Sequence, residues 1–336
     1  MAYIKTGLVS STSVIFFFAF FKPSKTTWVE GKINLHFLEI ELKTFVEVAV
    51  EDEGLVTVPA RKLLDICKEI PEQAEIKFSL SQNRLELRSG RFRSTLSTLP
   101  AEDFPSFDDS DANLTVEAEA KELKLLLDKT SFAMAHQDVR FFLNGMLIES
   151  GKNFLRAVAT DGHRLALSNI PQAGLNEKEV QVIVPRKAVL ELQRLLPELA
   201  GSVKIEFSQS NLKVLSENYT FATKLVDGKF PDYQRVIPKE GSKIVMAEKD
   251  ELRQALNRTS ILSNEKFRGI RLNLTDGQLE LSANNPEQEE AEESVSVNYE
   301  GAELQIGFNV SYLQDVLSVI DNEKVKITLH DPNSSA

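Results

Sequence analysis

The chain carries one signal twice, and a weaker form of it a third time. VPARKLLDICKEIP begins at Val58, and VPRKAVLELQRLLP begins at Val184. Each stretch opens on a proline, Pro59 or Pro185, and closes on another, Pro71 or Pro197. Pro59 stands as far from the Phe104-Pro105 pair as Pro185 stands from Phe230-Pro231. A third copy, GFNVSYLQDVLSVI, starts at Gly307 and has Asn309 at the proline position. Proline fits a first helical turn, where its missing N–H leaves no partner unmet, and asparagine caps a helix by accepting an N–H bond. The three units thus repeat a strand, a capped helix and a break. Repetition on this scale constrains the architecture before any short motif is read.

A second pattern recurs in step with the first. AKELKLLLDKTSF from Ala120 and KDELRQALNRTSI from Lys249 place Leu123, Leu126 and Leu127, then Leu252, Ala255 and Leu256, at i, i+3, i+4. That spacing predicts amphipathic helices, with Lys121, Lys124, Arg253 and Asn257 on the other side. The runs GMLIES, NFLRAVA, RLALSNI, GIRLNLT and QLELSA predict half-buried antiparallel strands. Each unit is therefore expected to hold helices on one face of antiparallel sheets, an α+β fold. No helix of the second kind precedes the first unit, and the chain stops short of a full third one, so both ends read as incomplete.

A length of 336 residues predicts about two or three domains. The lone Cys67 excludes an internal disulfide and fits a reducing, cytoplasmic setting; its spacing with Leu63, Leu64 and Ile70 reads as packing. The apolar run Val14–Phe21 is too short for a membrane span of about 20 residues and lacks a small-residue cleavage site, so it reads as a buried or aberrant segment. The net charge of −11 argues against indiscriminate wrapping of nucleic acid. Location matters more. Arg61 and Lys68 lie on the first proline-started helix, and Arg186, Lys187 and Arg194 on the second. Arg61 with Lys68, and Lys187 with Arg194, share a face opposite the apolar stripe. A solvated face is the plain alternative, but recurrence favours a surface that meets backbone phosphates without reading sequence. The histidines are His36, His136, His163 and His330, and no metal cage, Gly-rich phosphate loop or Gly-x-Ser-x-Gly elbow occurs. A hydrolase using Asp161 and His163 is the weakest reading, because the pair lacks a nucleophile.

Five longer stretches carry a more specific likeness: MAHQDVRFFLNGMLIE (Met134–Glu149), ATDGHRLAL (Ala159–Leu167), KLVDGKFPDYQRVIP (Lys224–Pro238), ILSNEKFRGIRL (Ile261–Leu272) and ANNPEQEEAEE (Ala283–Glu293). With them, residues 38–335 resemble the bacterial DNA sliding clamps, the β subunits of DNA polymerase III. The resemblance implies three repeated clamp domains, with helices on the inner face of the sheets, in a head-to-tail dimeric ring around duplex DNA. It implies a non-catalytic processivity factor without metal or cofactor. Its partners are duplex DNA, the clamp loader, the replicative DNA polymerase and other clamp-binding proteins. The expected division is a divergent segment at 1–37, an incomplete first domain at 38–112, a second at 113–242 and a C-terminally truncated third at 243–336. Residues 1–37 do not match the family's opening helix and strands, and its final strands and tail are absent. A marginal dimer with local unfolding over 1–37 and 325–336 is therefore expected. The alternative is a truncated clamp-like scaffold that binds partner peptides without forming a ring.

The resemblance also implies sites. The partner-peptide pocket falls on Leu143, Thr160, Gly162, His163, Arg164, Leu165, Pro231, Arg235 and Val236, with Asn309 and Tyr312 at its rim. Leu143, Leu165, Pro231 and Val236 would form an apolar cleft edged by Arg164 and Arg235; Asp161-Gly162 alone would read as a turn between strands. The DNA-facing loop falls on His136, Gln137, Arg140, Phe141 and Phe142. The subunit interface places Arg84, Arg91, Arg93 and Leu96 opposite Ile261, Leu262, Glu287, Glu289, Glu290 and Glu293 of a second copy, a heterologous contact that closes into a ring. Rim ion pairs are worth about 0–1 kcal/mol each, so the apolar Leu96, Ile261 and Leu262 are expected to carry more of the association than the charged pairs.

Overall fold

The computed structural model describes residues 15–20, 29–37, 39–48, 54–100, 107, 112–171, 179–238 and 241–332. The first repeat runs β1 (Ile15–Phe20), β2 (Val29–Phe37), β3 (Ile40–Val48), β4 (Gly54–Pro59), α1 (Ala60–Glu69), β5 (Lys77–Ser81), β6 (Arg84–Ser89) and β7 (Phe92–Ser97). Pro59 is the last residue of β4 and the N-cap of α1, one position earlier than expected. Its φ of −62° and extended ψ let the strand pass straight into the helix. Leu63 joins Val56, Val58, Ala60, Leu85 and Leu87 in the core, and Cys67 packs against them, its thiol pKa pushed up by burial.

The apolar run near the N-terminus is not a segment apart. Ile15–Phe20 forms β1, antiparallel to β2 from Ile15↔His36 and to β4 from Ile15↔Pro59. β2 in turn pairs with β3 from Val29↔Val48 to Phe37↔Ile40, so the boundary expected at residue 37 falls between two paired strands. Val14, Phe21 and the Phe104-Pro105 pair lie outside the described residues.

The second repeat runs β8 (Leu114–Glu119), α2 (Ala120–Asp128), β9 (Gly145–Ser150), β10 (Phe154–Thr160), β11 (Leu165–Pro171), β12 (Val180–Pro185), α3 (Arg186–Leu195), β13 (Ser202–Phe207), β14 (Asn211–Leu215) and β15 (Tyr219–Lys224). The third runs β16 (Lys243–Glu248), α4 (Lys249–Thr259), β17 (Gly269–Thr275), β18 (Gln278–Asn284), β19 (Glu290–Ser296), β20 (Leu304–Asn309), α5 (Val310–Val319) and β21 (Lys324–Leu329). The repeated signals become two kinds of strand-to-helix junction: β4–α1, β12–α3 and β20–α5 are of the first kind, β8–α2 and β16–α4 of the second. Leu123, Leu126 and Leu127 of α2, and Leu252, Ala255 and Leu256 of α4, are buried as the helical period requires. Asn309 caps α5, its side-chain oxygen accepting from the Ser311 backbone N–H at 2.9 Å.

Strands β17 and β18 alternate buried and exposed positions as expected. β9 does not: all six of its residues are buried. It is an interior strand of the sheet ordered β11-β10-β9-β12, with α3 packed against it. Its Glu149 carboxylate accepts from Arg156 at 3.5 Å and Gln181 at 3.2 Å, the pairing that a buried charge requires. At the other end, β21 pairs with β16 from Lys243↔Leu329 to Glu248↔Lys324, and Val325 and Leu329 are core residues. The local unfolding expected from residue 325 is therefore not supported for Val325–Leu329; residues 333–336 lie outside the described residues.

By contact the chain forms two compact units: residues 1–161 with 167–228, and residues 162–166 with 229–336. The first two repeats fall in one unit because, among the described residues, a single eight-stranded sheet runs β4-β1-β2-β3-β15-β14-β13-β8 through both. The third repeat has the sheet β19-β18-β17-β20 and the pair β16-β21. No helix among the described residues is long and apolar enough to cross a membrane.

Candidate peptide and nucleic-acid sites

The turn between β10 and β11 holds Asp161, Gly162, His163 and Arg164. Gly162 has φ +89°, a left-handed conformation that a side chain resists. Residues 162–166 belong with the unit of residues 229–336. Within that unit, the Arg164 guanidinium pairs with the Asp315 carboxylate and lies over the Tyr312 ring, 4.6 Å from its centroid. Tyr312 and Asp315 are three apart on α5 and share one face of it. His163 is exposed and Leu165 half-buried. Pro231 and Val236 are exposed, Arg235 pairs with Asp232 at 2.7 Å, and the buried Tyr233 anchors the short 3-10 turn Tyr233–Arg235 between them. The capping Asn309 also donates to the Phe267 carbonyl at 3.4 Å. Leu143 and Thr160 belong to the other unit and are buried there, Leu143 with only 2% of its surface exposed.

The loop between α2 and β9 is braced from several sides. Asn144 accepts from the Asp138 backbone N–H at 2.9 Å and donates to its carbonyl at 2.8 Å. Asp138 in turn accepts from Arg140 Nε at 3.0 Å and Nη2 at 2.8 Å, and Nη2 also donates to the Asp161 carbonyl at 3.2 Å. Gln137 takes a left-handed φ of +57°. The brace leaves His136 and Phe141 exposed and Val139 94% exposed, with Phe142 half-buried and edge-on to Phe141 at 6.0 Å. An oriented guanidinium beside an exposed aromatic and apolar tip suits contact with the phosphate backbone.

The basic helices divide. Arg61 and Lys68 of α1 are exposed. On α3, Lys187 is exposed, though partial burial pulls its ammonium pKa down, and Arg194 pairs with Glu191 at 2.8 Å. Arg186 differs from the expectation. It is half-buried, and its Nη1 donates to the Met134 carbonyl at 3.1 Å, so it holds the loop and is not an open cation on the helix face.

The expected interface also needs one correction. Arg84, Arg91 and Arg93 are exposed on β6, β7 and the turn joining them. Arg93 lies 2.6 Å from Glu86, and Arg88, with Arg93 adding to it, holds the Glu86 carboxyl below the usual range. Leu96, expected at the surface, is 6% exposed and belongs to the first repeat's core. Its strand has one covered face, and Leu96 points into it. Ile261 is 75% exposed and Leu262 half-buried. Glu287, Glu289 and Glu290 are exposed around the outer strand β19. Glu293 is paired within its own chain, accepting from Arg258 Nε at 2.9 Å, which lowers its pKa.

Two residues that reading the sequence passed over organise these sites, Asp138 and Asp315. Each had a visible signal: an acid two positions before Arg140, and an acid one helical turn after Tyr312. Among the described residues no group of three or more His, Cys, Asp or Glu could hold a metal ion.

Comparison with known proteins follows the same three repeats. Family profiles for the DNA polymerase III beta subunit match in order: its N-terminal domain over residues 33–108, its central domain over 117–232 and its C-terminal domain over 234–336. The chain is 54% identical over 300 residues to the beta sliding clamp of Pseudomonas putida, spanning 89% of this chain and 82% of that one. It is 47% identical over 309 residues to the beta sliding clamp of Escherichia coli K12, spanning 91% and 84%. The crystal structure of the DNA polymerase III subunit beta from Pseudomonas aeruginosa superposes with a TM-score of 0.90 at 48% identity, covering 95% of this chain and 86% of that one. A Pseudomonas aeruginosa sliding clamp bound to griselimycin gives 0.88, also at 48% identity, over 95% and 85%. The chain belongs to the DNA polymerase III beta subunit family, the bacterial sliding clamps.

Proposed function

We propose that this chain is the processivity clamp of a replicative DNA polymerase: a non-catalytic subunit that encircles duplex DNA as a head-to-tail homodimer and tethers its partners by their peptides. The observation that carries the reading is the in-order match of three beta-subunit domains to three repeats of one strand-and-helix pattern. A chain of net charge −11 with a few basic helix residues has weak direct affinity for DNA, so topological linkage is the physical means of staying bound. Arg61, Lys68, Lys187 and Arg194, with the His136–Phe142 loop, form the DNA-facing set in this reading. The turn at Gly162–Leu165 with Pro231, Val236 and Tyr312 receives an apolar peptide. Ile261, Leu262 and the acids of Glu287–Glu290 meet Arg84 and Arg91 of a second copy. The domain limits proposed are near residues 112 and 242, and the setting is cytoplasmic, where the clamp loader and polymerase act.

Retention tests this. Loaded by a clamp loader, the protein should stay on nicked circular DNA and slide off the same DNA once it is cut. Equal retention on circular and linear DNA contradicts the ring.

A further inference from the structure

We propose that Asp315 is a positioning residue for peptide binding: it fixes the Arg164 guanidinium over the Tyr312 ring and neutralises it, so that the rim of the cleft favours uncharged apolar peptide ends over acidic ones. The proposal rests on the reading of the Gly162–Leu165 turn as a peptide site.

Three observations carry it. The Arg164 guanidinium is held from two directions, by the Asp315 carboxylate and by the Tyr312 ring at 4.6 Å. Both holding groups come from one face of α5, whose start is fixed by the Asn309 cap, so their spacing is rigid. The exposure of the pair is uneven: the Arg164 side chain is 19% exposed and that of Asp315 44%, so the arginine is packed in place while the carboxylate that holds it reaches the surface a peptide would meet. A long, flexible arginine left alone samples many rotamers, and ordering it costs binding free energy; an arginine already clamped does not incur that cost on binding. Charge follows the same geometry. A guanidinium with a carboxylate against it offers an incoming peptide N–H donors with its net charge cancelled. A bare guanidinium attracts carboxylates.

The test is fluorescence anisotropy with two peptides that share a Leu/Phe-rich end, one neutral and one carrying an added aspartate. Asp315→Asn should weaken the neutral peptide by on the order of tenfold and shift the affinity ratio toward the acidic one. Arg164→Ala should weaken it similarly, and Arg164→Ala with Asp315→Asn should be no worse than Arg164→Ala alone. Asp315→Glu should recover most of the neutral binding. Additive losses, or an Asp315→Asn protein that binds like wild type, overturn the inference while the site stands, provided Leu165→Asp abolishes binding. If the wild-type protein binds neither peptide, the site reading fails on its own. Positioning is then still decided in the free protein by the Arg164 Nε–H resonance, which should be sharp and slowly exchanging in wild type and broadened in Asp315→Asn. A broad wild-type resonance overturns the inference directly.

Discussion

The guanidinium of Arg140 reaches the backbone carbonyl of Asp161 at 3.2 Å, joining the loop after α2 to the residue that precedes Gly162. Asp138 grips the same guanidinium, so the cation is oriented before anything binds. Arg140→Ala should weaken direct binding of the unloaded protein to duplex DNA about equally for all sequences. It should also reduce the slope of log affinity against log salt, by less than one because the Asp138 carboxylate already offsets part of the charge. Anisotropy across a salt series reads both, and an unchanged slope removes Arg140 from the DNA surface.

Dimer assembly should separate Ile261 from Leu96, two of the three apolar residues expected at the subunit interface. Ile261 stands exposed beside the half-buried Leu262, whereas Leu96 is enclosed by the first repeat's core. Ile261→Asp is expected to raise the dimer dissociation constant with little change in the melting temperature. Leu96→Asp buries an unpaired carboxylate and should melt the first repeat instead. Sedimentation with calorimetry distinguishes the two, and a folded monomer from Leu96→Asp would reverse the assignment.

Neighbouring leucines of α2 make a sharper stability contrast. Leu126 is fully buried and Leu125 exposed. Leu126→Ala should cost about 2–5 kcal/mol, and Leu125→Ala within about 0.5 kcal/mol of zero. Urea unfolding measures both, and similar losses would mean that the helix is rotated from the described face.

Acid should find the Arg258–Glu293 pair. Arg258 lowers the Glu293 pKa in the folded chain, so the contribution of the pair is fully present above the ordinary glutamate value of about 4.3 and fades as pH falls through the lower folded value. Arg258→Gln should flatten this part of the stability–pH curve, with no effect on its shape near neutrality. Thermal melts from pH 7 down to pH 3 test it, and parallel curves would mean that the pair is not formed in solution.

Much of this architecture was legible because its causes are local. The period of Leu123, Leu126 and Leu127 and the cap at Asn309 each depend on residues within one helical turn. What escaped depends on neighbours distant in sequence. The run containing Ile15–Phe20 has no alternation, so nothing local shows that it is a strand lying between β2 and β4. Leu96 looks like any apolar strand residue until its covered face is known, and Glu149 is polar yet interior because Arg156 and Gln181 meet it from adjoining strands. Arg186 resembles Lys187 in type and place, but the Met134 carbonyl beside it sets its role. Of the candidate pocket, the apolar and turn residues follow from likeness; the spacing of Asp315 from Tyr312 is visible in the sequence, but its pairing with Arg164, 151 residues away, depends on the fold.

The pairing of β3 with β15, from Ile40↔Thr223 to Thr44↔Tyr219, also sets a timetable. A ribosome finishes β3 early, but the strand that completes its hydrogen bonding is made only after the helices of the second repeat. Until Tyr219–Lys224 emerges, one side of the first repeat's sheet is an open row of donors and acceptors, the kind of edge that recruits another chain. The nascent chain therefore presents an edge that the finished fold covers, and a pause before residue 219 prolongs that exposure.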